Sequence, residues 1–347
     1  MQERKRETSA AASRYAGYNA RSSSRPQGYA PPPPPRGGSG KRDKETMRGV
    51  LVALLIILIF VLMIVGVIWL CGGFGGGDGE GGSGSGSAVV TPADGGVKVH
   101  FIDVGQADCI LIECDDGAIM IDAGENEDSQ KIAAYLNERG IEHLDYVIGS
   151  HAHADHMGGM DDVILNYEVD ELIVPTKASD SKFYKDVLDA AASKNVPVRA
   201  ASVGETLTFP SGKLEVVDDG SETANDMNNN SYILRFTYGE TTFLFTGDAE
   251  SQYEREALAN GADVDVDVLK VGHHGSRTST CDEFIAATTP EYAVIQVGRN
   301  NRYGHPSAET VSRLERAGAE VFRTDELGDI VVTTDGRRIS VAYDSGK

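Results

Sequence analysis

The sequence predicts an α/β domain of two β-sheets covered by helices, preceded by one transmembrane helix. Three observations predict it. From Val97 onward, short apolar runs of strand length alternate with amphipathic stretches of helix length. Some runs follow one another across a tight turn while others are separated by a helix, so hairpins and crossovers coexist, as they do when two sheets carry helical outer layers. Before that point, Val50–Leu70 reads VLVALLIILIFVLMIVGVIWL without a charge. At about 1.5 Å per residue this run spans roughly 30 Å, the hydrocarbon thickness of a bilayer.

In chain order, residues 1–48 are polar, with a proline run at Pro31–Pro35 and Gly, Ser and Arg elsewhere. Such a segment cannot bury enough apolar surface to fold, so a disordered tail is expected, the prolines forming a stiff polyproline II spacer. Residues 50–70 are expected to be an uncleaved span. A signal peptide would have a shorter apolar region and a small-residue cleavage site, which Trp69-Leu70-Cys71 does not provide. Arg36, Lys41, Arg42, Lys44 and Arg48 crowd its N-terminal side, and Asp78 and Glu80 follow it. The positive-inside rule then places the tail in the cytoplasm and the large domain outside the cell membrane. Residues 72–96 read as a flexible Gly/Ser-rich linker, and 97–347 as the folded domain.

Within that domain the strand candidates are Val97–Asp103, Cys109–Glu113, Ala118–Asp122, Tyr146–Ser150 and Glu171–Pro175, then Leu214–Asp218, Ser231–Tyr238, Thr241–Thr246, Val266–Gly272, Tyr292–Val297 and Ile330–Thr334. Helices are expected at Asp128–Arg139, Ser181–Lys194, Ser251–Asn260 and Ser307–Ala317, each opening with Ser or Asp as a cap. Gly239-Glu240 after Tyr238 reads as a hairpin turn. The four cysteines, Cys71, Cys109, Cys114 and Cys281, do not define a disulfide framework and are read as small buried thiols.

Charge is uneven. Residues 1–48 carry 11 Lys+Arg against 4 Asp+Glu, net +7, and the whole chain is −21, leaving −28 for the rest. An acidic domain repels polyanions at long range, which argues against non-specific nucleic-acid binding. A polyanionic substrate remains compatible, because bound divalent cations invert the local field.

The chemistry is carried by histidines. Of the eight, none precedes the apolar span, and His151, His153 and His156 fall within SHAHADHMGG directly after an apolar strand. In extended chain His151 and His153 point to one side, since side chains alternate with period two. Asp155 and His156, adjacent at a helix start, can face a second position. Imidazole nitrogens with carboxylate oxygens suit Zn²⁺, Mn²⁺ or Fe²⁺. The bland alternative is a His-rich surface loop that binds nothing.

HAHADH resembles the signature of the metallo-β-lactamase superfamily. The stretches FIDVGQAD, IDAG, NNNSYILRF, FLFTGDAE, LKVGHHGS, YGHPS and RTDELGDI resemble more closely the hydrolase domain of the ComEC competence proteins and their stand-alone relatives. The resemblance runs from about Val97 to Tyr343. It implies a four-layer α/β/β/α metallo-β-lactamase sandwich with two divalent metal ions, Zn or Mn, at one end of the sheets. By the same resemblance Asp122 is a carboxylate that orients a ligating histidine, the alternative being a turn aspartate before Gly124. Asp248 matches a metal-bridging position, and one of His273 and His274 completes the second site, His273 being favoured as nearer the strand end. Where many superfamily members have a histidine before the TGD strand, this chain offers Asp226, Asn228, Asn229 and Asn230, of which Asn230 is taken as the ligand. An amide oxygen is the weaker, harder donor, which favours Mn²⁺ or a loosely held ion. Ala107 replaces the glycine usual in VGQGD, which puts the supporting role of Asp108 in question. His305 is placed at the active-site mouth, in a catalytic role beside Asp155, against the alternative of a packed loop histidine. Ser231 and Ser276 read as turn formers, and His100 and His143 as structural.

The implied function is a membrane-anchored, extracytoplasmic metal-dependent hydrolase of phosphodiesterase or nuclease type, with DNA among its candidate substrates, acting through hydroxide generated between two cations about 3.5–4 Å apart. Rival readings are a cell-wall phosphocholine esterase, a carboxylic-ester or lactam hydrolase, and a non-catalytic binding or anchoring protein on the same fold. No protein partner is readable.

Overall fold

In a computed structural model of the chain, residues 96–209, 212–220 and 226–343 are described. The expected tail, the 50–70 span and nearly all of the linker lie outside the described residues, as does Cys71. Among the described residues no helix is long and apolar enough to cross a membrane.

Strand periodicity builds the layers. In β2 (Cys109–Cys114), Ile110 and Ile112 enter one apolar cluster and Cys109 and Leu111 another. β3 (Gly117–Ala123) repeats this with Ile119 and Ile121 against Ala118 and Met120. In β10 (Thr241–Phe245), Phe243 and Phe245 join the first cluster and Leu244 a third. A strand apolar on both faces must be covered on both, so each sheet has the other sheet on one side and helices on the other.

The first sheet has eight strands in the order β15 (Ile339–Tyr343), β14 (Ile330–Thr334), β1 (Val97–Phe101), β2, β3, β4 (His143–Ile148), β5 (Glu168–Ile173) and β6 (Val198–Arg199). The second has seven: β13 (Glu320–Arg323), β12 (Tyr292–Ile295), β11 (Val268–Lys270), β10, β9 (Ile233–Tyr238), β8 (Gly212–Asp218) and β7 (Thr206–Phe209). Helices α1 (Ser129–Glu138), α3 (Met160–Asn166) and α4 (Lys182–Lys194) cover the first through Ile132, Leu136, Met160, Ile164, Tyr184 and Val187. Helices α5 (Ser251–Ala259), α6 (Asp282–Thr288) and α7 (Ala308–Ala317) cover the second through Tyr253, Phe284, Ile285 and Leu314. The result is the expected four-layer α/β/β/α sandwich.

Part of each sheet is parallel: β3, β4, β5 and β6 in the first, and β10, β11, β12 and β13 in the second. The residues after the carboxyl ends of β3, β4, β10 and β11 meet at one place, as ligand sites do in α/β sheets. Two of the four expected caps act as read; Asp128 makes no side-chain cap bond, and Glu250 rather than Ser251 stands at the cap of α5. Ser181 and Ser307 cap α4 and α7 through their hydroxyls. Gly239-Glu240 joins β9 to β10, with Tyr238 opposite Thr241 and Gly239 at φ 61°; the positive φ is what a tight hairpin requires of its first residue.

Several boundaries differ from the sequence reading. β4 ends at Ile148 rather than Ser150, and β11 at Lys270 rather than Gly272. In both, the residues expected to continue the strand leave the ladder to deliver histidines. Strands β6, β7, β13 and β15 and helices α3 and α6 were not expected. They are short, and their apolar positions are too few to establish a period. Cys109 and Cys281 are buried free thiols, whereas Cys114, expected to be buried, is half-buried.

Candidate metal centre

The site starts from Asp122, the penultimate residue of β3, held at φ 59°. Its carboxylate accepts from the Ser150 backbone N–H and hydroxyl, both at 2.7 Å, and from His156 Nδ1 at 2.8 Å. A proton on Nδ1 leaves the lone pair of His156 on Nε2. That atom is buried without a hydrogen-bond partner and lies 3.3 Å from Asp248 Oδ1. His274 is set the same way from the second sheet. Its Nδ1 donates to the Gln296 carbonyl at 3.0 Å, and Nε2, also unpartnered, lies 3.5 Å from Asp155 Oδ2 and 3.8 Å from Asp248 Oδ1.

Asp248 faces two ways. Oδ1 looks toward His156 and His274, whereas Oδ2 lies 3.8 Å from His151 Nε2 and 3.7 Å from His273 Nε2. His153 completes the second group, with its Nδ1 3.0 Å from His151 Nε2. Two clusters result that share one carboxylate: Asp155, His156, Asp248 and His274 on one side, and His151, His153 and Asp248 on the other.

Several turns make this convergence. His153, extended at φ −110°, caps α2 (Ala154–Met157), so Asp155 and His156 stand in its first turn. His273 and His274 both have positive φ, 48° and 52°, a region non-glycine residues seldom occupy. The TGD turn needs Gly247, φ 51°. A Cβ there would come within 2.8 Å of Ser231 Oγ and 3.0 Å of Ser150 Oγ, and Ser231 Oγ accepts the Asp248 backbone N–H.

The electrostatics call for positive charge. Burial opposes ionisation of His274, but Asp248 and Asp108 outweigh it and raise this imidazole to about 10. Burial is likewise outweighed at His156, which Asp248 and then Asp122 push well above its ordinary value. Asp248 is held well below the usual carboxylate range, the pull of His156 and His274 overcoming its burial. His151 moves the other way, lowered by burial and then by His156. The raised imidazoles carry protons toward carboxylate oxygens at 3.3–3.8 Å; a divalent cation can take the place of those protons, and the donor set of imidazoles and carboxylates suits one. The residues therefore fit the two divalent ions that the sequence led us to expect.

The sequence-derived residues distribute unevenly. Asp108 lies behind the centre, 3.3 Å from His274 Nδ1 and 2.7 Å from Lys270 Nζ. Asn230 is not in the cluster; its amide donates to the Asp226 carbonyl at 2.7 Å. The asparagine beside His273 is Asn228, whose Nδ2 is 3.3 Å from His273 Nε2 and whose Oδ1 is buried and unpartnered. Asn229 instead receives the Glu250 N–H. The choice between His273 and His274 resolves into a division, since one stands on each side of Asp248, and it is His274, not the favoured His273, that shares the cluster with Asp155. His305 lies beside His273, with 5.5 Å between their ring centroids; burial, then His273, lower it to about 4.

Sequence reasoning missed Ser150, Gln296 and Lys270. Lys270 carried a readable signal, a charge inside an apolar strand. Gln296 carried none, since its role depends on a contact 22 residues away.

Residues 102–299 match the family described as Metallo-beta-lactamase superfamily. The chain belongs to that superfamily. This metallo-β-lactamase chain is 31% identical over 251 residues to ComE operon protein 3 of Bacillus subtilis, covering 67% of this chain and 32% of that protein. It is 28% identical over 250 residues to Recombination protein 2 of Haemophilus influenzae, covering 70% and 30%. With Competence protein ComA of Neisseria gonorrhoeae it shares 30% identity over 230 residues, covering 65% and 30%. The chain thus spans about a third of the length of these curated relatives. ComEC-like proteins are its relatives, and the metallo-β-lactamase fold with its ligand clusters is that of a metal-dependent hydrolase.

Proposed function

We propose that this protein is a metal-dependent phosphodiesterase of nuclease type, held at the outer face of the cell membrane by residues 50–70 with its N-terminus in the cytoplasm. The observation that carries the hydrolytic part is Asp248, whose two oxygens each face a separate imidazole group. One position is formed by Asp155, His156, Asp248 and His274, the other by His151, His153 and Asp248 with His273 and Asn228 beside them. Bound divalent cations supply Lewis acidity and lower the pKa of a water toward neutrality. The chain's own part is to hold the ligands. Asp122 and the Gln296 carbonyl take the Nδ1 protons of His156 and His274, which leaves both Nε2 lone pairs aimed inward. Asp108 and Lys270 neutralise one another beneath them. His305 stands beside His273, 5.5 Å between ring centroids, close enough to hydrogen-bond to a phosphate bound there.

The relatives named for competence and recombination support a nucleic-acid phosphodiester. The acidity of the domain favours a second reading, a cell-wall phosphoester. One panel separates these from lactam hydrolysis: plasmid and single-stranded DNA, bis-p-nitrophenyl phosphate, p-nitrophenylphosphorylcholine and nitrocefin, each with Mn²⁺ or Zn²⁺. Phosphodiester cleavage should fall by about 10²-fold or more in Asp155→Ala and in Asp248→Ala, since each loses a charged group at the reacting centre. Turnover of nitrocefin alone, or stoichiometric metal uptake without any turnover, would refute the phosphodiesterase.

A further inference from the structure

A cleft of about 420 Å³ opens beside Asp155, lined by Gln106, Glu125, Asp155, Asn301, Arg302 and Tyr303 with the first residues of α2. Among its described lining residues Arg302 is the only Lys or Arg. Tyr303 is 57% exposed, unusual for a large ring in this domain. That exposure is built rather than loose. Asn301 Oδ1 accepts the backbone N–H groups of Tyr303 and His305, both at 3.1 Å, and its Nδ2 donates to the carbonyls of Gly298 and His305. The Tyr303 ring lies nearly parallel to that of His305, at 15° and 5.9 Å between centroids. The Arg302 guanidinium sits 5.0 Å from the Tyr303 centroid and donates to its phenol oxygen at 2.8 Å.

We propose that Tyr303 and Arg302 seat the nucleotide next to the scissile phosphodiester, the phenol ring stacking on its base and the guanidinium pairing with its phosphate. The proposal rests on the phosphodiesterase reading and names the specificity element of that site. A π-face and a fixed cation on one short loop suit a ligand that carries a flat ring and an anion together, which is what a nucleotide is. A choline headgroup would also favour a tyrosine face. Here, however, it would bring a second cation to within a few ångströms of Arg302, and the like charges repel.

The test uses the full-length protein loaded with Mn²⁺ and compares an oligothymidylate, bis-p-nitrophenyl phosphate and p-nitrophenylphosphorylcholine. In Tyr303→Leu the ratio of kcat/KM for the oligonucleotide to that for bis-p-nitrophenyl phosphate should fall roughly 5- to 150-fold, mostly through KM, the range expected for one base–aromatic stack. Tyr303→Phe should restore it. Arg302→Gln should lower the same ratio and flatten the salt dependence by about 0.7 in log–log slope, the share of one phosphate contact on a single strand. An unchanged ratio in Tyr303→Leu overturns the proposal, as does a loss confined to the choline ester. A wild-type protein that cleaves none of the three sinks the underlying phosphodiesterase reading instead, and that failure is visible without any variant.

Discussion

Lys270 lies inside β11, fully buried, with Nζ 2.7 Å from Asp108 and 2.9 Å from the Val271 carbonyl. Burial would drive the Asp108 carboxyl up, but Lys270 and then His274 hold it below its ordinary value. A buried pair of this kind adds little net stability, yet removing one partner strands the other. Lys270→Met should therefore cost about 3–5 kcal/mol in urea unfolding, and adding Asp108→Asn should recover much of it. Asp122 is a case of position rather than charge balance. Asp122→Asn keeps the size and tolerates φ 59° but receives the His156 proton poorly. Metal affinity should drop about 10- to 100-fold in chelator competition, with the fold intact by circular dichroism. A third residue-scale effect lies far from the centre. His100, lowered by burial, stays neutral, and its Nε2 faces Glu113 at 3.0 Å while Nδ1 meets the Tyr135 hydroxyl at 2.9 Å. The close approach of His100, against some burial and with help from Lys98, depresses Glu113 to about 2 from 4.5. A depressed acid stabilises the fold at pH values above its unfolded pKa, and that stability drains as pH falls through the folded one. Glu113→Gln should therefore remove part of the acid lability between about pH 4.5 and 2, read from thermal melts across that window; an unchanged profile would rule this pair out as a source.

Strand ends are the working elements. β4 and β11 stop two residues early; a continued ladder would put His156 on the face opposite His151 and His153, and His273 opposite His274, instead of gathering them. The turn after β10 works by close approach. Gly247→Ala should destabilise the protein by about 1–3 kcal/mol, since it meets both an unfavourable φ and two serine oxygens. If the variant melts like the wild type, the tightness of that turn has been overstated. At this scale the sequence was legible wherever a pattern was long. The cap at Ser181, the hairpin at Gly239 and the alternation of β2, β3 and β10 all follow from local chemistry. It was not legible for β6 or β13, whose formation depends on a neighbouring strand already being present.

For the whole domain, the ligands come from both sheets: Asp155 and His156 follow β4 in the first, and Asp248 and His274 follow β10 and β11 in the second. Ions held between them bind the folded state only. At a metal concentration 100 times Kd each ion should add about 2.7 kcal/mol, so about 5 kcal/mol for the pair, and their removal by EDTA should lower Tm by roughly 10–20 °C for a domain of this size. A melting temperature indifferent to EDTA and to added Mn²⁺ or Zn²⁺ would leave the centre without metal.

The sequence alone determined the layered α/β class and the kinds of ligand, because periodicity and the HAHADH spacing are local properties that survive without coordinates; the superfamily entered through resemblance to known motifs. It could not assign His273 against His274, or Asn230 against Asn228. Adjacent residues in a turn differ only in the direction of their side chains, and that direction is set by partners distant in the chain: Gln296 for His274, and Asp226 for the Asn230 amide. Lys270 and the exposed ring of Tyr303 gained their meaning in the same way, one from a carboxylate in the loop that leads into β2 and the other from the cleft it borders.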